Sequence, residues 1–337
     1  MKIDRTAAAE SRYAELHCVS NFSFLQGASH PEELVTRAAA LGYDALAITD
    51  RATLSGIVRA HGAAKQAGIK LVIGAHLEPI DATPIVVWAT NAAGYSNLCQ
   101  LLTHGSTRSA EHTAQPAVSR ADDERFSPSS AGGCRLTLDD IARFSHGLLA
   151  GMPLTGCGLA EQGRPFDHSR LQATVVHLAH WRQIFGDRLC GLAEVALEGD
   201  DADRLAWFGC VAHHAGVPVA AAGDIRYHER SRLPLFDVLA AVRQGSTVEA
   251  IRGQLLPNGE RHLHERWRIA ERFASLPGAV ERAAEIAARC TFSLDELRYE
   301  YPDATVPPDR TASEQLAHLA WKGARQRYPA GIPEKVR

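Results

Sequence analysis

A chain of 337 residues is long enough for two domains, or for one α/β barrel of about 250 residues with a smaller addition. Its 45% apolar and 22% charged residues exclude a disordered or fibrous protein, and no apolar run reaches the roughly 18–20 residues of a membrane helix. The net charge of −3 gives no indication of general nucleic-acid binding.

Cysteine content and the N-terminal residues indicate the cellular compartment. The N-terminus lacks the apolar core of a signal peptide. The seven cysteines are odd in number and include no CxxC pair, so neither a disulfide framework nor a zinc ribbon is predicted. We therefore expect a cytoplasmic protein with no membrane partner.

Seven short apolar segments are predicted to be strands. They are rich in Val, Ile, Leu and Ala and lack clean alternation, as is typical of strands buried on both faces. Helical patterns separate most of them at roughly 30 residues per unit, which favours a parallel sheet or barrel, and the count of seven favours the barrel. The segments are Tyr13–Val19, Ala45–Thr49, Lys70–Leu77, Pro84–Ala89, Gly147–Leu154, Leu189–Val195 and Pro218–Gly223.

The helical patterns change along the chain. The first predicted helix has capping-box spacing from Ser29 to Glu32 and can end at Gly42. Residues 105–133 are rich in Ser, Ala, Gly and charge, lack periodicity and are predicted to form a mobile surface insert. After about residue 230 only helices are predicted: Leu233–Gln244, Leu263–Ala274, Gly278–Cys290 and Ser313–Arg327.

Side chains suited to metal binding follow several predicted strands. The carboxyl ends of parallel barrel strands meet at one face, so these side chains are expected to converge there. Imidazole and carboxylate groups could bind cations that coordinate a phosphate. Isolated polar residues at the start of loops would give the same sequence pattern. The residues are His17, Asp50, His76, Cys157 and Asp224.

One long motif resembles a known family. Residues 13–34, YAELHCVSNFSFLQGASHPEEL, resemble the start of bacterial C-family DNA polymerases. The similarity is to the error-prone branch, paralogues of the replicative polymerase III alpha subunit. Further support comes from Leu46–Asp50, Gly94–Thr103, Leu154–Cys157 and Pro277–Ala283.

The resemblance implies an α/β fold in which a PHP domain, a distorted seven-stranded β/α barrel related to metal-dependent phosphoesterases, is followed by an all-helical segment. We expect an N-terminal tail over residues 1–10 and the barrel over 11–230. A helical connector to the polymerase body is expected over 231–337.

The family's metal-binding positions are only partly retained. Three of eight match, namely His17, Cys157 and Asp224. The other five depart, where the family has His, Asp, His, Glu and His in that order: Val19, Gln26, Arg51, His76 and Arg226. The resemblance therefore implies a degenerate metal site.

Two of the departures are arginines, and they favour a site that no longer needs a cofactor. Arg51 and Arg226 bring permanent positive charge to the place of a dication and can pair with Asp50 or Asp224. We therefore predict an occluded site in a structural, non-catalytic module. In the alternative, His76 joins His17, Cys157 and Asp224 to hold one zinc ion.

The resemblance places the catalytic Asp triad and its Mg²⁺ in a palm domain beyond these residues. We expect no polymerase activity from this chain alone, and whether it is an enzyme stays open. The acidic run Asp200–Asp203 is predicted to begin a helix ending at Ala215. The family context is error-prone synthesis on damaged DNA, and the implied partners are the polymerase body, DNA, mutagenesis accessory proteins and the sliding clamp.

Two other functions fit the sequence. One is a residual metal-dependent phosphodiesterase or 3′–5′ exonuclease that uses the four possible ligands. The other is a nucleic-acid contact module in which arginines and tryptophans of the C-terminal helices stack on single-stranded bases. Its residues are Arg266, Trp267, Arg268, Trp321, Lys322, Arg325 and Arg327, which could equally pack against the polymerase body.

Overall fold

The computed structural model describes residues 12–114, 133–154, 168–298, 306–307 and 309–337. The described residues as far as Glu296 belong to one compact unit, and those from Leu297 onward form a second. Residue 230, where the strand patterns stop, lies inside the first unit. Within the described ranges, no helix combines the length and apolar character that crossing a membrane requires.

Seven strands form a nearly closed barrel, which confirms the predicted fold class. Each strand pairs with the next along the chain. A bridge between Cys18 and Ile225 joins the residues after the first strand to those after the last, and Val19 N–H donates to Ile225 O at 2.8 Å. Each strand lies within its predicted segment: β1 Ala14–Glu15, β2 Ala45–Ile48, β3 Lys70–Leu77, β4 Ile85–Ala89, β5 Leu148–Pro153, β6 Leu189–Glu194 and β7 Val219–Ala222.

Strand β4 departs from the predicted parallel arrangement, because it pairs antiparallel with both β3 and β5. A parallel crossover needs about a dozen residues or more, usually including a helix. The link over residues 78–84 is shorter than that and contains no helix, so the chain reverses direction. The remaining neighbouring pairs are parallel.

Ten α-helices occur among the described residues. Nine lie in the first unit, and α10 lies in the second. Their bounds are α1 Pro31–Ala40, α2 Ile57–Ala67, α3 Ala92–Ala114, α4 Leu138–Arg143, α5 His168–Phe185, α6 Asp201–Ala215, α7 Leu233–Arg243, α8 Arg266–Arg272, α9 Ala279–Arg289 and α10 Ala312–Arg327.

Two helix predictions need correction. The N-cap of α1 is His30, not Ser29, and its backbone N–H is held by Glu33 at 2.8 Å. Ser29 Oγ instead lies 2.7 Å from His228 Nδ1. The mobile insert predicted over 105–133 is wrong in its first part, because α3 continues to Ala114, while residues 115–132 lie outside the described residues.

The two ends of the barrel differ. Helix α9 packs on β7, β1 and β2, and its Arg282 and Ile286 line a cavity with residues from the amino ends of β5 and β6. It therefore covers the end of the barrel where the parallel strands begin. We call the opposite end, at the carboxyl ends of the parallel strands, the barrel mouth.

Candidate functional site

Five charged or titratable residues meet at the barrel mouth, and all are buried. His17 and Asp50 follow β1 and β2, His76 and Glu194 lie near the ends of β3 and β6, and Asp224 follows β7. Each comes from the carboxyl end of a strand or from the residues that follow it, which is the face of a parallel barrel where functional side chains converge. The structure thus brings together four of the five strand-end residues identified in the sequence, and adds Glu194.

His17 and His76 form the centre of a row of titratable groups. His17 Nδ1 lies 2.6 Å from Glu194 Oε1, and His17 Nε2 lies 3.1 Å from His76 Nδ1. The second contact is a hydrogen bond when one of the two facing nitrogens carries a proton and the other a lone pair. Burial, and then the charge of Arg51, lowers the pKa of His76 well below its usual value, so this ring is neutral.

The outer end of the row is Glu78, which pairs with Arg51. Glu78 Oε1 lies 3.3 Å from His76 Nε2 and accepts the Arg51 guanidinium. The predicted pairing of Arg51 with Asp50 or Asp224 does not occur in the structure. Asp50 instead accepts from the hydroxyls of Ser20 and Ser23, both at 2.7 Å.

Asp224 lies among three cationic or proton-bearing groups. Its Oδ1 is 2.7 Å from Arg226 Nη2 and 3.8 Å from His17 Nδ1, and its Oδ2 accepts from Arg261. Burial alone raises the pKa of this carboxyl, but the charges of Arg226 and Arg261 outweigh burial and hold the pKa of Asp224 well below its usual range. The carboxylate is therefore ionised and lies within ion-pair distance of two guanidinium groups.

Three of the four ligands in the zinc alternative, His17, His76 and Asp224, are described residues, and they are not arranged around one point. Asp224 lies on the Nδ1 side of His17, whereas His76 lies on its Nε2 side, so these three groups do not direct lone pairs to one point. Cys157 lies outside the described residues. Within the described ranges, no cluster of three His, Cys, Asp or Glu side chains is arranged to hold an ion.

Glu15, the last residue of β1, holds the backbone beneath this site. Its Oε1 accepts the backbone N–H groups of His17 and Gly223 at 2.9 and 3.0 Å. Its Oε2 accepts the Tyr13 hydroxyl at 2.8 Å. Burial raises the pKa of Glu15 from 4.5 to about 7, so the folded chain holds a proton here that the unfolded chain releases near pH 4.5.

Replacement of Glu15 by Gln should remove part of the pH dependence of stability. Since the folded-state pKa is raised, the stability of the native chain falls as pH rises from about 4.5 to about 7 and stays lower above that. The free energy of unfolding of E15Q minus that of the native chain should therefore rise by about 3 kcal/mol between about pH 4.5 and about pH 7. Urea unfolding at several pH values measures it, with the exposed Glu249→Gln as control. If the free energies of unfolding of E15Q and of the native chain changed in parallel with pH, the raised pKa of Glu15 would be contradicted.

Several residues at the mouth were not identified in the sequence. Glu194 ends β6, so its position at a strand end was a sufficient signal. Arg261 comes from the loop before α8, far from any strand end, and it also contacts Glu198 at 3.3 Å. No local pattern marks Arg261, because only the tertiary fold brings it to Asp224.

Other predicted groups lie away from the mouth. Asp200 precedes α6 as predicted, but its carboxylate contacts Arg204 at 2.7 Å instead of capping the helix. The proposed nucleic-acid residues are divided between α8 and α10, which belong to different units. On α8, the Arg268 guanidinium lies 5.3 Å from the centre of the Trp267 ring and 3.2 Å from Glu265.

Comparison with known proteins identifies the family. Residues 15–192 match the PHP domain family. Proteins described as error-prone DNA polymerase are 40% identical over 328 residues in Rhodopirellula baltica and 42% identical over 335 residues in Bordetella parapertussis. These alignments cover 96% of this chain but only 26% and 29% of the relatives.

Among solved structures, an amidohydrolase from Chromobacterium violaceum is similar, with 19% identity and a TM-score of 0.44, over 64% of this chain and 88% of that chain. The sequence matches confirm the family inferred from the motifs. Since more than half of its residues match, the chain belongs to the PHP domain family, and over nearly all its length it is similar to error-prone DNA polymerases.

Proposed function

We propose that this chain is the N-terminal PHP module of a bacterial error-prone DNA polymerase, and that the module supports the polymerase fold without metal and without hydrolysis. In this proposal the longer enzyme acts in the cytoplasm during synthesis on damaged DNA. DNA, mutagenesis accessory proteins and the sliding clamp are its partners through the full-length protein.

One observation carries the proposal: guanidinium groups form ion pairs with acidic side chains of the barrel mouth. Glu78 holds Arg51, and Asp224 holds both Arg226 and Arg261. A divalent cation would have to displace these permanent charges and also break the hydrogen bonds of His17 and His76. The hydrolytic alternative needs a divalent cation among these guanidinium groups, and their permanent positive charge opposes its binding.

Elemental analysis of the chain purified without chelator tests this proposal. We expect less than about a tenth of an ion per chain, because a site whose ligands are already paired binds metal weakly. No template-directed nucleotide incorporation is expected from the 337-residue chain, because in this proposal the palm belongs to the remainder of the polymerase. About one zinc per chain that disappears in His76→Ala, or two ions with phosphodiester hydrolysis, would refute the metal-free module.

A further inference from the structure

A cavity lies at the end of the barrel opposite the mouth, between α9 and the amino ends of β5 and β6. Its volume is about 80 Å³, and a space of about 10–15 Å³ on the same measure holds one water molecule. The cavity therefore has room for a ligand of roughly five to eight non-hydrogen atoms. Its apolar wall is formed by Trp88, Leu149, Leu189, Pro218 and Ile286.

Charged side chains line the rest of this cavity. They are three arginines and two carboxylates: Arg188, Arg282, Arg289, Asp187 and Glu285. None of the five forms an ion pair with a described residue. Because the guanidinium groups outnumber the carboxylates by one, the lining carries an excess of one positive charge.

Arg282 and Arg289 are the arginines with unused donors. They are seven residues apart on α9, about two helical turns, so they lie on the same face of the helix. Neither donates a hydrogen bond to a described residue, and the Nε of the half-buried Arg282 is itself buried without a partner there. By contrast, Arg188 donates to Ser145 O and Leu148 O. A buried donor without an acceptor costs free energy, so the two α9 arginines would gain from an acceptor that the described residues do not supply.

The Cys190 thiol shows that both guanidinium charges act at the cavity. This thiol lines the cavity and lies 3.5 Å from Ala150 O. Burial raises the pKa of Cys190 to about 12, and the positive charges of Arg282 and Arg289 act on it in the opposite direction. The thiol is therefore neutral at physiological pH and adds no negative charge that would repel a bound anion.

We infer that this cavity binds a small aliphatic monocarboxylate, with its carboxylate on Arg282 and Arg289 and its alkyl chain against the wall that includes Trp88. Guanidinium groups bind carboxylate oxygens through short, paired hydrogen bonds. A monoanion neutralises the excess of one positive charge, whereas a dianion such as phosphate would leave an excess of negative charge in a partly apolar cavity. The inference goes beyond the proposed function and does not depend on it, because the cavity lies at the other end of the barrel from the mouth.

Calorimetric titration with sodium butyrate tests the inference. Butyrate lies within the size range of the cavity, and the ionic strength is held constant with sodium chloride. The full chain should bind one butyrate saturably, and Arg282→Gln should weaken binding at least about tenfold, as expected for loss of one charge-assisted contact. The exposed Arg252→Gln, which does not line the cavity, is the matched control and should bind like the native chain.

Comparison ligands define the chemical class. Butanamide has nearly the shape of butyrate but no charge, so it should bind far more weakly. Acetate leaves most of the apolar wall uncovered and octanoate exceeds the cavity volume, so affinity should be highest for butyrate among these three carboxylates. Equal binding of butanamide would exclude a role for the arginines, and an affinity that rises through octanoate would indicate binding to exposed apolar surface. Either result overturns the inference.

Cysteine alkylation locates the site. With iodoacetamide and mass spectrometry, butyrate at about ten times its dissociation constant should slow the alkylation of Cys190 about tenfold, because only the unoccupied chain reacts. The exposed Cys210 on α6 does not line the cavity and should react at an unchanged rate. An unchanged rate at Cys190 would place butyrate elsewhere and overturn the inference.

Thermal unfolding separates loss of binding from loss of folding. Without butyrate, R282Q should unfold within about 2 °C of the native chain, because the substitution breaks no ion pair with a described residue. With butyrate, the native chain should gain stability and R282Q should not. If R282Q does not fold, the exposed Arg289→Gln gives the same test. A variant of either arginine that folds and binds butyrate as tightly as the native chain overturns the inference.

Discussion

Asp224→Ala is expected to destabilise the first unit by about 3–5 kcal/mol, because it removes one partner of a buried ion pair and leaves cations uncompensated. Asp224 is only 7% exposed and holds Arg226 at 2.7 Å as well as Arg261. Urea unfolding followed by tryptophan fluorescence measures the change in the free energy of unfolding.

Asp200→Ala is the matched control for this experiment. Its carboxylate also lies 2.7 Å from an arginine, Arg204, but its side chain is 43% exposed. An exposed pair contributes at most about 1 kcal/mol, so this variant should change stability little. If the two substitutions changed the free energy of unfolding equally, burial would not be the cause of the strength of the Asp224 contacts.

Trp88→Ala is expected to lower the free energy of unfolding by about 3–5 kcal/mol, since it leaves a large cavity in the barrel core. Trp88 lies on β4 and is completely buried, and its Nε1–H donates to Leu16 O at 2.9 Å, next to β1. Glycines on both neighbouring strands make room for the ring, because a Cβ at Gly74 or Gly151 would collide with it. The substitution therefore removes packing and also leaves a buried carbonyl without its donor.

The control for Trp88 is Phe24→Ala, which truncates an aromatic side chain that is 70% exposed. It should shift the urea midpoint by far less than the tryptophan variant, since little apolar area returns to water. A loss below about 1 kcal/mol for Trp88→Ala would mean that neighbouring side chains refill the space, against the cost expected for a rigidly packed ring.

The local features of the strands were predictable from sequence. Runs such as Lys70–Leu77 are apolar on both faces, and this property depends only on the residues within the run. The helix Asp201–Ala215 was predicted with its observed bounds, because its acidic start and following Gly216 are local signals. The reversal at β4 was not predicted, since strand direction depends on how the connection packs and not on apolar content.

The candidate site was only partly predictable. Strand-end position identified His17, His76 and Asp224, because the carboxyl ends of parallel strands must share one face. The partners of two arginines were not predictable: Arg51 contacts Glu78 and Arg261 contacts Asp224. A long flexible side chain can contact any of several acids, and only the folded distances decide among them.

The sequence by itself determined the family, the seven strands and the presence of arginines where the family has histidines, because these are properties of residue type and spacing. The tertiary structure alone decided that the His17 and His76 rings face each other, 3.1 Å apart between nitrogens, and that Asp224 pairs with two arginines. Charge pairing and metal fit depend on distance, direction and burial, which chain order does not specify.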